Sequence, residues 1–113
     1  MLSIIWRFRA KPHKSVEFQR TYSSTGQWAE LFGRSPEYHG TVLLQDVSDP
    51  LVFGVIDRWA SQHAFSQFKE RFGSEYERLD QRCAELTDEE TRIGVFQDEV
   101  ASAPMESGSD PAL

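Results

Sequence analysis

The residues of this sequence with chemistry beyond packing are three histidines, one cysteine and a few charged side chains set among apolar ones. His13, His39 and His63 fall on a turn, a strand start and a helix start. No two stand at the i,i+4 spacing that brings ligands onto one helix face, so no metal site is expected. His39 is the best candidate for a general base, because it adjoins Tyr38 and opens an inward-facing strand. A lone histidine without an orienting partner also fits a structural or solvated role, and both readings stay open. Nucleophilic catalysis is poorly served: there is no GxSxG elbow, and Cys83 falls on an apolar helical stripe, where a buried thiol is inert. No GxGxxG or P-loop is present, so a nucleotide cofactor is not called for. Arg58 shares a strand face with Gly54 and Ile56, so its charge must find a ligand anion or a carboxylate of a second chain. Asp57 points the other way, beside Trp59, and is expected to make a structural hydrogen bond.

Aromatic residues are the remaining signal, at 12% of the chain. Trp6, Trp28, Trp59, Phe65, Phe68, Phe72 and Tyr76 are suited to line a cavity between a sheet and helices, and equally suited to form the core. Trp28 stands apart, because it follows a Ser23-Ser24-Thr25-Gly26 break where a helix is interrupted and a cleft can open.

The elements that must position these residues are legible from periodicity. Leu2 to Arg9 alternates as a strand, with Leu2, Ile4, Trp6 and Phe8 on one face. Pro12 ends it, and Val16 to Ser24 reads as a helix, resumed in a short piece around Trp28, Leu31 and Phe32. Tyr38 to Asp46 and Leu51 to Trp59 read as strands joined into a hairpin by Ser48-Asp49-Pro50. Ser61 caps the longest helix, Gln62 to Glu85, whose apolar positions Phe65, Phe68, Phe72, Tyr76, Leu79 and Cys83 recur at gaps of three or four. Gly73 marks a kink in it. Thr87 to Glu90 reads as a capped turn and Arg92 to Gln97 as a fourth strand. The order β-α-β-β-α-β predicts an α+β fold, the ferredoxin-like split βαβ arrangement with a four-stranded antiparallel sheet.

Length and composition bound the rest. The 113 residues suffice for one domain, placed at 1–100, with residues 101–113 expected to be a disordered acidic tail. Residues 84–113 hold one arginine against eight acids, and no clustered basic run exists anywhere, so nucleic acid is not an expected partner. No apolar run is long enough to span a bilayer, and a single cysteine fits a reducing cytoplasm. Two helices cover only one face of a four-stranded sheet, yet both faces carry apolar residues. Val52 and Ile56 oppose Phe53, Val55 and Trp59, and Val42 and Leu44 oppose Leu43. A homodimer joined sheet to sheet is therefore expected.

With these elements in place, the chain resembles the antibiotic biosynthesis monooxygenase domains of the dimeric α+β barrel superfamily. The resemblance covers nearly all of residues 1–97 and rests on FRAKPHK (Phe8 to Lys14), GQWAELF (Gly26 to Phe32), GTVLLQDVSDP (Gly40 to Pro50) and above all VIDRWASQHAF (Val55 to Phe65). His13 departs from the glycine frequent at that place in the family, which concerns a turn. The resemblance implies a dimeric α+β barrel, and an oxygenase working without metal or flavin on electron-rich aromatic molecules. The superfamily's haem-degrading branch uses an Asn, a Trp and a His. This chain has no Asn, and SEYERLDQRC carries no His where that branch ligates haem, so haem is not implied.

Two functions are carried forward. In the first, the chain is a cofactor-independent monooxygenase, with His39 as base, Arg58 or Tyr38 stabilising a developing oxyanion, and Trp6, Trp28, Trp59, Phe68, Phe72 and Tyr76 lining the pocket. In the second, the same dimer binds a small hydrophobic or aromatic molecule without turning it over.

Overall fold

The computed structural model describes residues 1–99, and the tail expected at 101–113 lies outside them. The strands are β1 (Leu2–Ala10), β2 (Tyr38–Gln45), β3 (Val52–Trp59) and β4 (Thr87–Gln97), and the helices are α1 (Ser15–Tyr22), α2 (Gln27–Phe32) and α3 (Gln62–Cys83). The strands form one antiparallel sheet in the order β2-β3-β1-β4. This is the ferredoxin-like α+β arrangement expected from the element order.

The helices cover one face of the sheet. Leu2, Ile4 and Phe8 of β1 and Phe53, Val55 and Trp59 of β3 are buried there against Phe18, Tyr22, Trp28, Leu31, Phe32, Phe68 and Leu79. The start of α3 is held by Ser61, whose hydroxyl accepts from the Ala64 N–H at 3.0 Å. The helix does break where a kink was expected, though at Phe72 (φ −116°, ψ 25°), one residue before Gly73.

The break between α1 and α2 has a steric cause. A Cβ on Gly26 would sit well inside contact distance of the Arg20 and Thr21 carbonyl oxygens, so only glycine lets α2 start this close to the end of α1. Since backbone cannot yield as a side chain can, Gly26→Ala should destabilise by about 3 kcal/mol, the upper end of overpacking costs, as read by chemical denaturation.

One element departs from expectation. Thr87 to Glu90 is the first part of β4 and not a capped turn. Acidic residues have low strand propensity, but here Glu89 lies opposite Arg9, and Arg7 and Arg9 reach it at 3.2 and 3.9 Å. A basic strand recruits an acidic one, with bulges between Ile5 and Trp6 and between Arg9 and Ala10 taking up the register.

No helix among the described residues lies over the second sheet face. Val42, Ile56, Ile5 and Gly94 form a row straight across the four strands, and the Phe96 ring lies over Gly94. Leu44 leans over Gly54. Val42, Leu44 and Phe96 remain 46%, 50% and 51% exposed. Phe53, Val55 and Trp59 are on the covered side, while Val52, although on the open side, is buried. No helix among the described residues is long and apolar enough to cross a membrane.

Candidate active site

A cavity of about 220 Å³ lies between the helix-covered face of the sheet and helices α1 to α3. Its walls are mainly aromatic: Trp6 and Phe8 from β1, Tyr22 from α1, Trp28 and Phe32 from α2, and Tyr76 from α3. These rings pack on one another, Trp28 against Tyr76 at 5.0 Å and Phe8 against Tyr22 at 4.8 Å. Each is held at the precise height its strand or helix dictates, so the space is set by stiff side chains.

Polar groups are few and unevenly buried. Lys69, Asp80 and Glu90 line the cavity from its exposed side. The Lys69 ammonium stands 4.6 Å over the Tyr76 ring and is the single cation on the walls among the described residues. Burial and the neighbouring Asp80 raise the Glu90 carboxyl. Burial, with Asp80, Asp57 and Glu90 nearby, pushes the Tyr76 hydroxyl up to about 12, so it stays protonated. Trp28 is buried, and its Nε1–H has no hydrogen-bond partner among the described residues. It lies toward the Tyr22 hydroxyl and the Cys83 thiol.

The one charge inside is Asp57. It follows Val55 on the inward side of β3 and is 8% exposed. Its Oδ1 accepts from the Thr41 hydroxyl at 2.7 Å, and Thr41 in turn is hydrogen-bonded to the Tyr38 hydroxyl. Burial disfavours the carboxylate and raises its pKa to about 6, against an opposing pull from the Thr41 hydrogen bond. A carboxyl so placed binds a proton more tightly than an ordinary one and still releases it near neutrality, which is what a general base requires.

This has a consequence for stability. Because folding raises the Asp57 pKa from its ordinary 3.8 to about 6, the folded state holds the extra proton between those values. The associated stability is complete below the ordinary pKa and is lost as pH rises through about 6. The gap corresponds to about 3 kcal/mol. Denaturation of wild type and Asp57→Asn side by side should show wild type losing about that much relative to the variant between about pH 4 and pH 7.

The residues singled out from sequence divide sharply. Trp6, Trp28 and Tyr76 line the cavity. Trp59, Phe68 and Phe72 do not: they form a second aromatic cluster with Phe32 and Phe65, in which Trp59 is fully buried. Tyr38 does not line the cavity but touches two residues that do, Thr41 by a hydrogen bond and Phe32 ring to ring at 5.5 Å. His39 is exposed and outside the cavity. Arg58, the candidate for stabilising an oxyanion, lies on the opposite face of the sheet from the cavity. Its guanidinium donates to the Ser3 hydroxyl at 2.8 Å and pairs with Asp98 of its own chain at 3.1 Å. The ionisable group that does enter the cavity is its neighbour, because side chains alternate along a strand. The hydrogen bond expected of Asp57 is present, and its partner is Thr41. The missed signal was a charge on the apolar stripe Phe53, Val55, Asp57, Trp59. Cys83 is buried as expected, and burial raises its thiol pKa.

Neither a family model nor a curated protein matches the sequence. Solved structures do match. A Deinococcus radiodurans protein named as an antibiotic biosynthesis monooxygenase aligns over 94% of this chain and 100% of its own, at TM-score 0.71 and 12% identity. One so named from Nitrosomonas europaea aligns over 86% and 97%, at 0.63 and 18%. SnoaB, a cofactor-independent oxygenase from Streptomyces nogalater, aligns over 91% and 97%, at 0.59 and 20%. Likeness at these identities reports how the backbone runs, and nearly every chain involved is matched from end to end. This chain has the antibiotic biosynthesis monooxygenase-like fold.

Proposed function

We propose that the protein is a monooxygenase that uses O₂ to oxidise a small, electron-rich hydroxyaromatic substrate of the anthrone or hydroquinone type. The observation that carries this reading is a buried carboxylate, Asp57, on the wall of an otherwise aromatic cavity. The similarity in fold to a cofactor-independent oxygenase supports it.

The chemistry asks little of the protein beyond what this cavity offers. The substrate stacks between the aromatic walls. Asp57 takes a proton from the substrate, and the resulting electron-rich anion supplies the electrons. One electron passes to O₂, and the substrate radical and superoxide combine to a carbon-bound peroxide. Proton return to that peroxide and loss of the remaining proton on the same carbon expel water and leave a carbonyl. In sum, the CH₂ of an anthrone and O₂ become C=O and H₂O, and a hydroquinone and O₂ become a hydroxyquinone and H₂O: one oxygen atom stays on the product and the other leaves in water. Lys69 offsets the negative charge that develops, and the apolar walls exclude bulk water from the peroxide. His39 and Arg58 have no part in this scheme.

The working unit in this proposal is a homodimer joined through the open sheet face, since a second copy offers the same apolar row to cover it. The test of function is oxygen uptake with a panel of anthrones and hydroquinones. The expected result is uptake above the no-protein rate, with product carrying one atom of labelled O₂. Saturable quenching of tryptophan fluorescence by the same compounds, with uptake at the no-protein rate, would instead identify a binding module.

A further inference from the structure

We infer that Asp57, Thr41 and Tyr38 form a proton-transfer chain, which carries the substrate's proton from the cavity to the half-buried Tyr38 at the start of edge strand β2. The inference rests on the reading of Asp57 as the base, and it explains how a base so deeply buried resets.

The chain exists because of a local irregularity. Residues 38 and 41 would lie on opposite faces of a regular strand. Here Tyr38 pairs with Trp59 and Gly40 with Arg58, so His39 is an extra residue bulged out of β2. Gly40, at φ 117°, accommodates the bulge. The alternation is thereby reset, and Tyr38 and Thr41 share the face of Asp57. β2 is an edge strand, Tyr38 is half-buried, and His39 beside it is exposed.

Hydrogen counting then gives the chain two states. A threonine hydroxyl has one hydrogen. With Asp57 ionised, Thr41 spends it on Oδ1, so Tyr38 must donate to Thr41. Once Asp57 has taken a proton, the protonated carboxyl donates to Thr41, Thr41 donates to Tyr38, and the tyrosine proton passes to solvent. One proton enters at Asp57 and one leaves at Tyr38, with no heavy atom displaced. Thr41 is the only side chain hydrogen-bonded to Asp57 among the described residues. The other titratable groups sharing the cavity are Tyr22 of α1, Lys69, Tyr76 and Asp80 of α3, and Glu90 of β4. No hydrogen bond joins any of them to Asp57 in the described structure.

The test follows the carboxyl carbon of Asp57 and the ζ carbon of Tyr38 by ¹³C NMR as pH is raised, assigning the tyrosine signal with Y38F. Asp57 should titrate near pH 6, and Tyr38 should inflect at the same pH. The Tyr38 inflection should vanish in T41V, or in T41A if T41V does not fold, and persist in T41S. In turnover, Y38F should lower kcat by roughly tenfold with KM unchanged, and the rate lost on removing the Thr41 hydroxyl should be rescued in T41S. A Tyr38 signal that stays flat while Asp57 titrates, or an inflection that survives loss of the Thr41 hydroxyl, overturns the chain and leaves Asp57 as base. An Asp57 carboxyl that titrates like a surface aspartate overturns both.

Discussion

Asp57→Asn should lower kcat/KM for an anthrone or hydroquinone by roughly 100- to 10,000-fold, the usual loss when a general base is removed. The substitution keeps the shape of the side chain and an oxygen that accepts from Thr41, so the cavity should keep its form. Substrate binding, read by tryptophan fluorescence, should change no more than a few fold. The loss would then sit in kcat, as for a group that acts mainly in the transition state. The wild-type pH profile should rise as Asp57 ionises through about pH 6 and then level, and the variant's residual rate should not follow that curve. The sign is opposite to that of stability, which falls over the same interval. A carboxylate whose burial costs folding energy is retained where it does chemistry, and this pairing of penalty with function is common at active sites. Undiminished turnover in Asp57→Asn would remove the aspartate from the mechanism.

Leu44→Asp should abolish the proposed homodimer and yield aggregated or unfolded protein in place of a soluble single chain. Wild type should sediment at twice 13.0 kDa. Val42, Leu44 and Phe96 are about half exposed, and Ile5, Ile56, Gly54 and Gly94 complete the surface between them. Fully burying a large apolar side chain is worth about 1.5–3 kcal/mol. Covering the three half-exposed ones on each of two copies is of the same order as the cost of association, about 4–15 kcal/mol. With so narrow a margin, a carboxylate buried from each copy decides the outcome. Sedimentation equilibrium is the measurement, and a stable 13.0 kDa wild-type species at micromolar concentration would refute the dimer.

Periodicity in the sequence was enough to determine the fold. Alternation in Leu2 to Arg9 and the three-four spacing from Phe65 to Cys83 are local patterns, and each can be satisfied in only one kind of element. The Ser61 cap, the interruption before Trp28 and the two-sided apolar sheet were legible for the same reason. The start of β4 was not, because it depends on Arg7 and Arg9, some 80 residues away in the chain, lying beside Glu89. The site was decided only by tertiary structure. Aromatic residues have the same types and spacing whether they line a cavity or fill a core. Which of Trp28 and Trp59 meets empty space depends on where α2 and α3 settle over the sheet. Asp57 and Arg58 are adjacent, and choosing between them required knowing which face the helices cover. The approach of Tyr38 to Thr41 follows from a single bulged residue at His39, a shift of register that no composition or period announces.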